Sequence, residues 1–359
     1  VGPASAGAVP GPACYGRGGV EPTVTDANLL LGRLLEDSPL AGELQLDRAA
    51  AERAVAQLGG ELGLETIACA EGIVRVAEAE MLAALRVMTV ERGIDPRGFA
   101  LMPFGGAGPL HAAALAREMG IARVLCARAS GVLCALGLAA AAPRRDVART
   151  LMLRGRSLSP EGIDRERSAL IAEARSDLAG PAVRVRVRHE LRYRGQSFEL
   201  PVEEESQASA GAEAAEAGAW LDPRGICEAF AEAHLQRYGY RDDSAEVELV
   251  TMRVSAWGPA PAFAPLARAR RRPGAAEHPR SGNGAEARAG SSGAESREIV
   301  FSGSALRASV IRGEPEPGSV IEGPALCALP EATLLVPPGW RGEADAHGTI
   351  HLRAGAEGA

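Results

Sequence analysis

The sequence predicts an α/β protein, and three observations carry that reading. Short apolar runs alternate with helix-period segments across the first 142 residues. The run Ala100-Leu-Met-Pro103 reads as a buried strand that breaks into Phe104-Gly-Gly-Ala-Gly108; Pro109 then opens an Ala/Leu-rich helix, Leu110 to Met119, which Gly120 closes. A second apolar strand, Arg123-Val-Leu-Cys126, follows, with a turn at Ser130-Gly131 and an apolar helix from Val132 to Ala141.

The elements before that turn are helical. Residues 1–23 form a Gly/Pro-rich loop, after which Thr25 or Asp26 caps a helix over Ala27–Leu35. Asp47 caps a second helix ending near Leu58. Glu65 to Arg92 reads as one long helix with Ile73, Val76, Ala77, Met81, Leu85 and Met88 on one face, ended by Gly93 and Pro96.

Beyond Pro143 the pattern changes. Glu161–Leu178 is a charged, exposed helix, and Val183–His189 alternates Val with Arg as a half-buried strand does. A turn at Gly195-Gln196 leads to a strand over Ser197–Val202, then a loose loop to residue 218. Pro223–Tyr238 is an amphipathic helix and Val247–Trp257 an alternating strand. Residues 264–297 hold almost no large apolar side chain and read as a disordered linker. The tail from Ile299 carries short strands broken by Pro337-Pro-Gly-Trp340 and Asp345-Ala-His-Gly348, a small all-β closing unit.

Composition excludes several functions. The 359 residues contain no lysine, so neither a Walker-type P-loop lysine nor a lysine Schiff base is available. Net charge is −7, and the one basic run, Arg268–Arg272, reads as solvated linker, which argues against a nucleic-acid partner. No run of 18 apolar residues exists to cross a membrane. Six cysteines without a CxxC pair fit reduced thiols in a cytoplasmic protein. The chain opens at Val1 inside Gly/Pro-rich sequence without an initiator methionine, which reads as a fragment or processed piece.

The glycines at 105, 106 and 108 remove three Cβ atoms where a strand meets a helix N-terminus, so a ligand can approach bare backbone, and the unpaired N–H groups favour an anion. A tight steric turn uses glycine in the same way. Asp26 is either a metal or water partner in a cleft or a helix cap, and Asn28 either a polar cleft residue or first-turn helix. His111 either reaches a phosphate or base or packs internally. Arg17 either neutralises phosphate or pairs with Glu21. Cys14 has no neighbouring His or Asp in sequence to lower its pKa and reads as structural. His347 and His351 lack metal-ligand spacing.

Several motifs together resemble the hydantoinase A/5-oxoprolinase family. They are Gly11-Pro-Ala-Cys14-Tyr-Gly-Arg-Gly-Gly, Glu21-Pro-Thr-Val-Thr-Asp26-Ala-Asn28-Leu-Leu-Leu-Gly-Arg33-Leu and Met102-Pro-Phe-Gly-Gly-Ala-Gly-Pro-Leu-His111-Ala. Leu191-Arg-Tyr-Arg-Gly-Gln-Ser-Phe, Tyr238-Gly-Tyr, Ile321-Glu-Gly-Pro-Ala and Val336-Pro-Pro-Gly-Trp340 extend the likeness over nearly the whole chain, apart from 264–297.

The resemblance implies an actin-like ATPase fold with nucleotide between two lobes. Residues 1–142 are then the second lobe, 143–263 a mixed α+β C-terminal domain, 264–297 a linker or loop, and 298–359 the β-rich closing segment of that domain. The first lobe, with its Asp-and-Gly phosphate motifs, is missing from this sequence. Cys134 stands where the family is expected to carry Ser. The implied activity is ATP-dependent opening of a cyclic amide of the 5-oxoproline or hydantoin type through phosphorylation of the amide carbonyl. The alternatives are a subunit of an ATP-dependent ketone carboxylase and a truncated, non-catalytic nucleotide-binding subunit. ATP and Mg²⁺ are the implied cofactors, and a cyclic amide, the missing N-terminal lobe and a hydantoinase B-like subunit or domain the implied partners. Gly105, Gly106, Ala107, Gly108, Pro109 and His111 are the candidate nucleotide-binding residues, and Asp26 and Asn28 the candidate catalytic ones.

Overall fold

The first helix, α1 (Val24–Leu30), starts earlier than Thr25 or Asp26 would place it, because Thr23 takes the cap. The Thr23 hydroxyl accepts the Asp26 amide, and the Asp26 carboxylate accepts the Thr23 amide at 2.9 Å, a reciprocal capping box. Asp47 caps α2 (Arg48–Leu62) through the amide of Ala50. The long helix, α3 (Thr66–Met88), buries Cys69, Ala70, Val74 and Ala77. Those small side chains let α1 and α2 lie close against it. Val76 and Met88, expected on the buried face, are exposed. The structure, a computed structural model, describes residues 5–37, 44–176, 178, 180, 184–207, 220–261 and 295–355.

The glycine turn leads into α4 (Gly108–Glu118) and β1 (Arg123–Cys126). The strand expected over 100–103 is reduced to one parallel bridge, Leu101 to Val124, held by two hydrogen bonds of 2.9 and 2.8 Å. Pro103 has no amide hydrogen to extend the ladder, and the chain turns away there. A 3-10 turn, Ser130–Val132, precedes α5 (Leu133–Ala140), none of whose residues is buried.

By its contacts the chain divides into a unit of residues 137–276 and a unit of 1–136 with 277–359. The first of these contains β2 (Arg144–Arg154), α6 (Pro160–Ser176), β3 (Arg184–Tyr193), β4 (Leu200–Gln207), α7 (Pro223–Tyr238) and β5 (Val247–Trp257). Its antiparallel sheet runs β2-β5-β3-β4. In β3 the alternation holds for ten residues, with Val185, Val187, His189, Leu191 and Tyr193 buried. The helix α6, expected to be exposed, buries Ile163, Leu170, Ile171 and Ala174 and packs on β2 and β5. Residues 203–207, expected as loop, belong to β4, while 208–219 lie outside the described residues. β2 was not legible as a strand, since within it only Val147 is fully buried.

The tail supplies β6 (Ser296–Phe301), β7 (Ser304–Arg312), β8 (Val320–Glu322), β9 (Ala325–Ala328), β10 (Thr333–Val336), β11 (Trp340–Ala344) and β12 (Ile350–Ala354). They build two four-stranded sheets, β10-β9-β7-β6 and β1-β12-β11-β8. The second sheet reaches beyond the tail. Here β12 pairs antiparallel with β1, Leu352 opposite Val124, so the tail joins the unit of residues 1–136. The reason is apolar matching: Val124, Cys126, Ile350 and Leu352 are buried together with Ala112 and Ala116 of α4. A second core joins Leu29, Val55 and Val74 of α1, α2 and α3 to Ile299, Leu326 and Leu335 of the other sheet. Of the expected linker, 264–294 lies outside the described residues, and Ser296 and Arg297 are already part of β6.

Candidate functional site

The turn between Leu101 and α4 is fixed from two sides. Gly105 adopts φ +82°, a conformation that L side chains rarely take, and its amide donates to the Ser130 carbonyl at 2.8 Å. The Gly106 carbonyl accepts the Thr333 amide at 3.0 Å. Gly131 leaves room for the carbonyl of Glu331, which occupies the place of a Cβ. Strands far apart in sequence therefore hold one rigid turn.

What the turn presents is backbone. The amides of Gly106, Ala107 and Gly108 find no acceptor among the described residues, and no side chain caps α4. Gly106 and Ala107 are exposed, and Pro109, whose missing N–H costs nothing at a helix start, is buried beneath them. Unpaired amides at the positive end of an 11-residue helix suit an anionic oxygen. Met102 and Phe104 stand beside them, 49% and 58% exposed, an apolar flank of the kind a ring system covers.

His111 points elsewhere. It is buried, and its Nδ1 lies 3.0 Å from Glu78 Oε1 of α3. Asp26 is fully buried and its carboxylate is saturated. It accepts the amides of Cys14 at 2.7 Å, Ala13 at 3.2 Å and Thr23 at 2.9 Å, and the Thr23 hydroxyl at 2.7 Å. Asn28 is buried too, its Nδ2 donating to the Val24 carbonyl at 3.0 Å, while its Oδ1 has no partner. Burial first, and the Asp26 carboxylate second, hold the Cys14 thiol far above its ordinary range.

Gly106 and Ala107 thus lie at the surface with Pro109 buried beneath, Asp26 and Asn28 are buried in α1, and the His111 side chain meets Glu78 instead. Ser130, Glu331 and Thr333, which shape the turn, were not foreseen. Only the glycine at 131 hinted at a close approach. No group of three His, Cys, Asp or Glu side chains able to hold a metal occurs among the described residues.

Family models place this architecture. Residues 1–147 match the hydantoinase/oxoprolinase model, and residues 172–355 match the hydantoinase/oxoprolinase C-terminal domain. The chain belongs to the hydantoinase/oxoprolinase family. The caprolactamase alpha subunit of Pseudomonas jessenii is 35% identical over 99% of this chain and 49% of its own length. The crystal structure of ATP-dependent caprolactamase from Pseudomonas jessenii superposes with TM-score 0.67 at 32% identity, over 99% of this chain and 50% of that one. The acetophenone carboxylase gamma subunit of Aromatoleum aromaticum is 42% identical, over 38% of this chain and 19% of its own length. The chain spans about half the length of the curated relatives it matches from end to end. Among the described residues no helix is long and apolar enough to cross a membrane.

Proposed function

We propose that this chain is part of an ATP-dependent hydrolase that opens a cyclic amide, with the Gly105–Pro109 turn as one wall of the nucleotide site. The observation that carries the reading is the set of free amides at Gly106, Ala107 and Gly108 at the head of α4. They fit a phosphate-bearing ligand, and the family supplies the rest. The likeness to a caprolactamase subunit, 35% identical over 99% of this chain, supports ring opening. An actin-like lobe, completed by residues equivalent to the other half of the relatives, accounts for a site with one wall.

In this scheme ATP is a co-substrate whose γ-phosphoryl group passes to the amide carbonyl oxygen. Water then adds to the activated carbon, and the C–N bond breaks with the ring nitrogen leaving as the protonated amine. A second water hydrolyses the resulting acyl phosphate to give inorganic phosphate and a linear amino acid. The turn amides orient and hold the nucleotide, and the core beneath keeps them in register. Asp26 positions the Ala13-Cys14 loop and does not itself touch substrate. Asn28 is a second positioning residue in α1. His111 supports α4 through Glu78. Mg²⁺, implied together with ATP, would be held by the nucleotide phosphates and one or two carboxylates; Asp26 is not one of them, because it spends its lone pairs on four protein donors. A hydantoinase B-like partner and the complementary lobe are the proposed associates.

The test combines this chain with a protein supplying the other half of its relatives' length, ATP, and a panel of lactams, 5-oxoproline and hydantoin. ADP release that depends on one of these rings supports the reading. ADP release that depends only on a ketone and bicarbonate overturns it in favour of carboxylation.

A further inference from the structure

A second concave site lies between α3 and α4. It is a cavity of about 630 Å³ walled by α3, by α4 from Leu110 to Glu118 and by the hairpin joining β6 to β7. Such a volume suits a small organic ligand. Its lining separates into three kinds of surface. Leu82, Leu110, Leu115 and Leu335 give an apolar side. Arg33, Arg75 and Arg117 give three cations, and Glu71, Glu78 and Glu118 three anions.

Arg33 lies within electrostatic reach of Glu78 and Glu71. Arg33 Nη2 donates to the Val300 carbonyl at 3.3 Å and the guanidinium lies over the Phe301 ring, while its buried Nε has no hydrogen-bond partner. Glu71 accepts the Gly303 amide at 2.9 Å, which fixes the hairpin tip, and Glu78 faces His111. Arg75, Arg117 and Glu118 form no ion pair among the described residues. An anchored guanidinium suits a carboxylate, the glutamates of the lining suit an ammonium, and its leucines suit an aliphatic chain.

We propose that this cavity binds a linear, zwitterionic amino acid, its carboxylate on Arg33 and its ammonium toward Glu71 and Glu118. That is the chemical class the ring opening above would release, and the assignment of the ligand class rests on that reading. The site is distinct from the nucleotide turn, so an occupant acts as a retained product or an effector.

Calorimetric titration of the chain without ATP tests this, using 6-aminohexanoate and glutamate as probes against hexanoate and hexylamine. Saturable binding of at least one zwitterion is expected, at least tenfold tighter than either singly charged control. Arg33→Gln should weaken it at least tenfold. Glu118→Gln, on the exposed side of α4 and harmless to the fold, should weaken it severalfold. No saturable binding below about 20 mM overturns the proposal. So does wild-type affinity in Glu118→Gln and Arg33→Gln, or equal binding of hexanoate. Because ATP is absent, the outcome is separate from the turnover test. Ring opening without binding here sinks only this site, and binding here without ring opening sinks only the catalytic reading.

Discussion

The carbonyl of Gly106 accepts the amide of Thr333 at 3.0 Å, tying the glycine turn to the first residue of β10 across more than half of the chain. The bond lies outside the sheet ladder, so it serves the turn and not the strand. Removing it should release the turn while leaving the sheet intact. Proline is tolerated at the first residue of a strand and removes that one donor. Thr333→Pro is therefore expected to weaken ATP binding at least tenfold with an unchanged far-ultraviolet circular dichroism spectrum, whereas Thr333→Ala, which keeps the amide, should bind as the wild type does. Equal affinity for the two variants would separate the tail from the nucleotide site.

Asp26 is expected to matter for stability before it matters for chemistry. Asp26→Asn replaces one acceptor oxygen with an NH₂ group facing either the Cys14 amide or the amides of Ala13 and Thr23. Leaving a buried donor unmatched costs about 1–3 kcal/mol, and urea unfolding should show a loss of that size. A variant of wild-type stability with abolished turnover would instead make Asp26 a group that touches substrate.

Cys14 and Cys134 should differ sharply toward iodoacetamide. The Cys14 thiol is wholly buried and its pKa is raised, so it remains protonated and unreactive well above neutral pH. Cys134 is exposed on α5. Mass spectrometry after brief treatment at pH 8 is expected to find Cys134 modified and Cys14 intact, with Cys14 reacting once the protein is unfolded. Rapid native labelling of Cys14 would mean that the Ala13–Tyr15 loop opens.

Local chemistry made much of the fold legible. The Asp47 cap, the Pro109 start and Gly120 end of α4, and the alternation expected over Val183–His189 are written in adjacent residues, and the structure follows them, with β3 running on to Tyr193. Where the sequence was silent, the deciding partner was distant. The pairing of Leu352 with Val124 leaves no trace in either strand alone. The same holds for the candidate site. The glycines at 105 and 106 announced exposed backbone, but the carbonyl of Ser130 and the amide of Thr333 that hold it were invisible. Asp26 is a different case. The sequence left it open between cleft chemistry and a helix cap, and Thr23, three residues back, completes a capping box with it.

The central claim is that nucleotide meets backbone at Gly106, and the affinity of Gly106→Val for ATP tests it most directly. The nearest atom to an added Cβ there is the Glu331 carbonyl oxygen at 3.4 Å, and φ is not in the left-handed region, so the fold should survive. A branched side chain would nevertheless stand over the free amides of Ala107 and Gly108. Calorimetric titration, on the chain alone and joined to the other half of its relatives' length, should show ATP binding in the wild type and a loss of at least tenfold in the variant, with melting temperatures alike. Equal affinity for wild type and variant would show the turn to be structural and contradict the account.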